Sequence, residues 1–245
     1  MNAPRKSALA VGVLFILTFI TSIGGVLAYG PVLSDPNYIA SAGSGTHVFI
    51  GAFLELLLIL TNIGCATVLF PILKRQNENL ALGYVAARII ECTFILVGLL
   101  SVLSIETLRQ TATAADGSSL ITIGKALLAI HDWTFLFGPG TVDGVGTGLI
   151  LGWLMYKSGL VGRRTALIGV VGGALLATSG VLVLLGVIPR GGAVQGIATI
   201  PEVIWEAFLG LYLTFKGFKV APAIAFGSRE QAIAPAYTNA QANAA

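Results

Sequence analysis

"SALAVGVLFILTFITSIGGVLAY", residues 7–29, contains no charged residue, and Arg5 and Lys6 stand just before it. A basic start, an apolar core and a small-residue exit are also the layout of a secretory leader. The core is too long for a leader's apolar region of roughly 7–15 residues, and a bilayer crossing takes about 20. The stretch reads as a retained first transmembrane helix.

The rest of the chain agrees. Its 245 residues are 56% hydrophobic and 10% charged, with 31 glycines, and the mean hydropathy is +0.89. Soluble domains carry about 25% charged residues. The fold class is therefore all-α, a polytopic membrane helical bundle. Further apolar runs lie at 48–72, 80–103, 133–156, 165–187 and 198–217, which makes six transmembrane helices. Between the third and fourth, "LITIGKALLAIH" (120–131) predicts a short helix at the surface or partly inserted, with a seventh span as the alternative. Residues 1–219 form one domain. The Ala-, Pro-, Asn- and Gln-rich stretch 220–245 predicts a disordered cytoplasmic tail.

Six spans place both termini on one side. With the N-terminus inside, ten cations face the cytoplasm: Arg5, Lys6, Lys74, Arg75, Lys157, Arg163, Arg164, Lys216, Lys219 and Arg229. Arg109, Lys125 and Arg190 remain outside, and Arg88 lies within a span. This asymmetry follows the positive-inside rule. The net charge of +3 sits at span ends rather than in a basic stripe, which excludes nucleic acid as a partner.

Close helix packing is legible in the fourth span, where Gly140, Gly144, Gly148 and Gly152 recur every four residues. Gly169, Gly173 and Ala177 repeat that spacing in the fifth. Lipid gives no hydrophobic drive for helices to associate, so smooth ridges that let backbones approach predict a tight hairpin of these two spans. The same glycines could instead leave room for a ligand.

The spans also hold Glu55, Arg88, Glu91, Asp143 and Glu206, with Glu202 near an end where water can solvate it. Helical rise puts Glu55 about 10 Å, Glu206 about 12 Å, Asp143 about 15 Å and Glu91 about 18 Å below the outer end of its span. Four carboxylates from four helices thus share one layer. Arg88 is three residues from Glu91, on the same helical face, which predicts an ion pair. One pair would serve as interhelical glue. Further carboxylates each cost about 2.5–3.5 kcal/mol to insert, so they point to a site where an acid is protonated or holds a cation. Glu55, Glu91, Asp143 and Glu206 are the acid–base candidates, and Arg88 is their anchor.

His131 and Asp132, at the outer mouth of the fourth span, are ligand-binding candidates together with Glu202. With Glu206 and Glu55 they offer a minor carboxylate–histidine metal option, although a His at such a mouth is commonly a surface group. Two histidines in all exclude a three-His metal site. Cys65 and Cys92 lie in apolar runs as small hydrophobes. No P-loop, nucleophile elbow or GxGxxG is present, so no cofactor is expected.

Three stretches carry a family likeness: "LALGYVAARIIE" (80–91), "GWLMYKSGLVGRR" (152–164) and "IPEVIWEAFLGLYLTFKGF" (200–218). Together they resemble the bacterial membrane-protein family named domain of unknown function 4386, over roughly residues 5–219. The resemblance implies the same six-span bundle in a bacterial inner membrane and marks Arg88, Glu91 and Glu206 as motif positions. Gly162 stands where the family usually has Pro. No activity comes with the likeness. Three functions remain open on the residues: binding of, or acid–base action on, a lipophilic small molecule that enters from the bilayer; a proton- or cation-coupled transporter; and a non-catalytic membrane partner.

Overall fold

A computed structural model describes residues 3–35, 37–111 and 117–219. The tail expected at 220–245 lies outside the described residues. Six long helices carry the fold: α1 (Ala3–Ser34), α2 (Thr46–Leu73), α3 (Glu78–Thr111), α4 (Ser118–Ser158), α5 (Arg163–Leu184) and α6 (Ala193–Phe215). Each is long and apolar enough to cross a membrane. The chain is a multi-pass membrane protein.

One expectation is sharpened. Residues 120–131 are helical as expected, but they join the fourth span as the first turns of α4, a helix of 41 residues, and the described residues hold six such spans rather than seven. Lys125 and His131 hid that continuity in a hydropathy reading. The helices also exceed the expected spans at several ends. In α3 the extra length takes in Glu106 and Arg109.

Burial is arranged as a membrane demands. Large apolar side chains such as Ile20, Leu27, Leu60, Leu100, Val171 and Leu211 face outward, while Glu55, Arg88, Glu91, Asp143 and Glu202 are buried. Every helix packs against the next in the chain, and α6 closes on α1, so the bundle is a ring. Small residues bring the walls together. A Cβ on Gly144 would lie 2.9 Å from the Gly173 carbonyl oxygen, and one on Gly152 would lie 3.0 Å from the Val170 nitrogen. Gly148 likewise sits against Gly173, so the predicted α4–α5 ridge is a packing face over these three glycines. Gly140 is not part of it, since its near neighbours are Phe135 and Leu136 of its own helix. The hairpin turns at Gly159, which ends α4 in the left-handed region at φ 66°, a conformation that favours glycine.

Two apolar clusters fill the ring at different levels. The larger draws on all six helices and includes Phe15, Leu69, Tyr84, Leu154, Trp205 and Leu209. The smaller, around Tyr29, Ile39, Val102 and Leu120, has no residue from α5 or α6. It is closed by a polar latch: Glu106 accepts bonds from Arg109 at 2.7 and 2.8 Å and from the Tyr38 hydroxyl at 3.0 Å. Burial and the Glu106 contact push the Tyr38 hydroxyl up to about 12, so it stays a donor at neutral pH.

Candidate functional site

Arg88 stands at the centre of the buried polar groups. Its guanidinium donates to Glu91 at 2.6 Å and to Asp143 at 2.8 Å, and reaches Glu206 at 3.5 Å. The pairing with Glu91 is as the spacing predicts. Two further partners from α4 and α6 are new, because helical spacing sees only residues of one helix. The rings of Phe15 and Tyr84 lie 5.9 and 6.0 Å from the guanidinium carbon, and Tyr84 sits one turn before Arg88 on the same face. Glu91 is also held by the Asn62 amide at 3.0 Å. Asn62, two turns from Glu55 in α2, carried the signal that could have singled it out: a lone amide inside an apolar run.

Glu202 departs from expectation. It is not solvated at an interface but 2% exposed, and neither carboxyl oxygen has a hydrogen-bond partner. Its niche exists because two neighbours lack side chains: a Cβ on Gly148 would lie 2.6 Å from Oε2, and one on Gly172 would lie 2.9 Å away. Gly148 therefore serves both readings of the ridge, packing against α5 and making room for a carboxyl. One oxygen from each of Asp143, Glu202 and Glu206 falls within 4.8 Å of the others. A single cation could touch all three.

Asp143 is set by unusual backbone. Two π-helical runs, Leu136–Val142 and Gly144–Leu151, flank it in α4. Pro139 supplies a local cause, since proline cannot donate the ordinary helical bond. Bonds from i to i+5 widen the turns on either side of Asp143. The Trp205 indole donates to the Thr147 carbonyl at 3.1 Å and ties α6 to this wound segment.

These groups floor a cavity of about 320 Å³ lined by all six helices. Its ionisable and amide wall is Asn62, Arg88, Glu91, Asp143, Glu202 and Glu206, Thr18, Ser22 and Thr199 add hydroxyls, and its apolar wall includes Phe19, Leu58, Leu176 and Val203. Lining residues Ile23 of α1 and Val203 of α6 are 57% and 45% exposed, so the cavity reaches the outer face of the bundle between those helices. The packing explains the gap. At one level Gly12 of α1 lies against Gly210 and Thr214 of α6, whereas Gly24 and Gly25 face Leu54 and Glu55 of α2 instead.

The remaining candidates are elsewhere. Glu55 does not join the Arg88 group. It accepts a bond from Tyr29 at 3.1 Å, and its other oxygen is unpartnered. His131 is buried rather than a surface group, stacked on Phe135 at 4.5 Å and edge-on to Tyr29 at 6.1 Å. Asp132 pairs with Arg190 at 2.5 Å near the surface. The suggested metal set of His131, Asp132, Glu55 and Glu206 is thus not assembled: Glu206 lies with Arg88, Tyr29 stands against both Glu55 and His131, and Asp132, 3.9 Å from His131, is taken by Arg190.

Residues 10–217 match the profile of the family described as domain of unknown function DUF4386. The chain belongs to this family. The match spans all six helices, and so covers every wall of the cavity. No curated protein and no solved structure matches the chain.

Proposed function

We propose that this DUF4386 protein takes a lipophilic small molecule from the bilayer into the cavity between α1 and α6 and engages its polar end by acid–base chemistry at the carboxylate floor. One observation carries this reading: a cavity with an apolar wall and a gap toward lipid ends on Glu202, a buried carboxyl with no partner. An ionised carboxylate left alone in an apolar interior is too costly to persist, so the group exchanges protons with, or pairs to, whatever occupies the cavity. Glu206, held by Arg88 at 3.5 Å, is the second exchanging acid, and Arg88 with Glu91 fixes their geometry. The protein sits in the bacterial inner membrane with both termini cytoplasmic.

A coupled transporter is the second reading, favoured by the π-wound middle of α4, since broken or rewound helices at mid-membrane are where transporters hold their cargo. Access is the feature to test. Val203→Trp should plug the gap, while Leu211→Trp, on the outer face of α6, should not. Protein purified in native lipid should show non-protein density in the cavity and a co-purifying small molecule by mass spectrometry, both lost in Val203→Trp alone. A cavity equally empty, or equally filled, in all three proteins would defeat the proposal.

A further inference from the structure

The lipophilic-ligand reading leaves the polar end of that ligand unnamed, and the charges around the cavity narrow it. Four carboxylates, Glu91, Asp143, Glu202 and Glu206, surround the single cation Arg88. Arg88 uses Oδ1 of Asp143 and Oε1 of Glu206, so each keeps a second oxygen, and Glu202 keeps both. An anionic ligand would meet repulsion from every side. A neutral polar group would leave protonation as the only way to discharge the remaining acids, whereas a cation lets them stay ionised and paired.

Resting on that reading, we propose that the ligand is a lipophilic primary amine whose ammonium group is held by Asp143, Glu202 and Glu206. A primary ammonium has three N–H donors, as a lysine head does, and three carboxylates converge here. Charge-assisted N–H···O bonds of about 2.8 Å at tetrahedral angles place three oxygens about 4.6 Å apart. One oxygen from each of these residues lies within 4.8 Å of the others. A bare divalent ion fits the cavity less well. Magnesium keeps several bound waters, and beside the apolar Phe19, Leu58, Leu176 and Val203 this wall offers them only the Thr18, Ser22 and Thr199 hydroxyls. An alkyl chain fills the same wall.

The test uses the full chain in nanodiscs of zwitterionic lipid, with dodecylamine, dodecan-1-ol and dodecanoate as probes. Dodecylamine should bind saturably and displace the alcohol. Glu202→Gln, which keeps the shape and removes the charge, should weaken dodecylamine by about tenfold or more, the loss of one charge-assisted contact. The same change should leave dodecan-1-ol unaffected. Glu55→Gln, outside the cavity, should leave both affinities unchanged. Asp143→Asn serves if Glu202→Gln does not fold. Should the alcohol bind as tightly as the amine, or should Glu202→Gln and Asp143→Asn both leave the amine's affinity intact, the amine is wrong. Saturable alcohol binding blocked by Val203→Trp would still uphold a lipophilic cavity. If none of the three probes binds saturably, both proposals fall. One Mn²⁺ bound per chain, lost in Glu202→Gln and with no saturable amine binding, would make this a metal site instead.

Discussion

Arg88 shows what a charge inside a membrane span does when several acids share it. A buried pair exchanged for apolar residues often costs little, so Arg88 and Glu91 alone would predict that Arg88→Met with Glu91→Leu behaves nearly as the parent. The structure changes that expectation, because Asp143 and Glu206 also lean on the guanidinium. Arg88→Met should cost about 3–5 kcal/mol, the scale for stripping the partner from a buried charge. Adding Glu91→Leu should recover only part of it, and Asp143→Asn should then recover more. Thermal unfolding of the purified variants in detergent checks the order. A double variant as stable as the parent would mean that Asp143 and Glu206 do not depend on Arg88. The pair itself was legible in the sequence, since three residues along one helix decide it. The contacts from α4 and α6 were not, because they depend on how helices rotate against one another. Glu202 and His131 were misplaced for a related reason: nearness to a span end says nothing about which way a side chain faces.

At the scale of elements, α4 is where sequence and structure part most. Hydropathy saw an apolar run beginning near residue 133 and a polar-tinged segment before it. Lys125 and His131 are tolerated in one continuous helix because depth and facing, not composition, set their cost. The π winding also left no plain mark beyond Pro139. The glycine ridge gives a clean comparison. A side chain on Gly144 would meet the backbone of α5 at the Gly173 oxygen and at the Ala177 nitrogen, 3.0 Å away, which cannot swing aside as a side chain could. Val145, next to it, is 39% exposed toward lipid. Gly144→Leu should therefore cost about 3 kcal/mol or more, the upper range for overpacking. Val145→Leu should stay within about 0.5 kcal/mol, as surface changes do. Equal unfolding midpoints for the two in detergent would show that α4 and α5 do not rely on this approach.

For the whole molecule, orientation decides which leaflet supplies the cavity. The two ends of the bundle differ chemically. At one, Arg5 donates to the Leu213 and Thr214 carbonyls at 2.8 and 2.7 Å, satisfying acceptors that the end of α6 would otherwise leave open. Lys6, Lys74, Arg75, Lys157, Arg163, Arg164, Lys216 and Lys219 lie at the termini and helix connections of the same end. At the other end stand Arg109, Lys125 and Arg190, two of them neutralised locally by Glu106 and Asp132. Lys and Arg excess marks the cytoplasmic face, so the Arg5 end should be inside. Cys65 and Cys92 are buried, and replacing both by Ala gives a background for single probes. In intact cells a membrane-impermeant maleimide should label Ser41→Cys, in the exposed α1–α2 connection, and should reach Ser228→Cys only after permeabilisation. The reverse pattern would turn the protein over. Labelling of both from outside would break the even number of crossings. The expected result has a direct consequence for the site: α1 and α6 close on each other through Gly12 and Gly210 at the cytoplasmic end, and the gap beside Ile23 and Val203 lies toward the other. The outer leaflet is then the side from which a lipophilic molecule reaches Glu202.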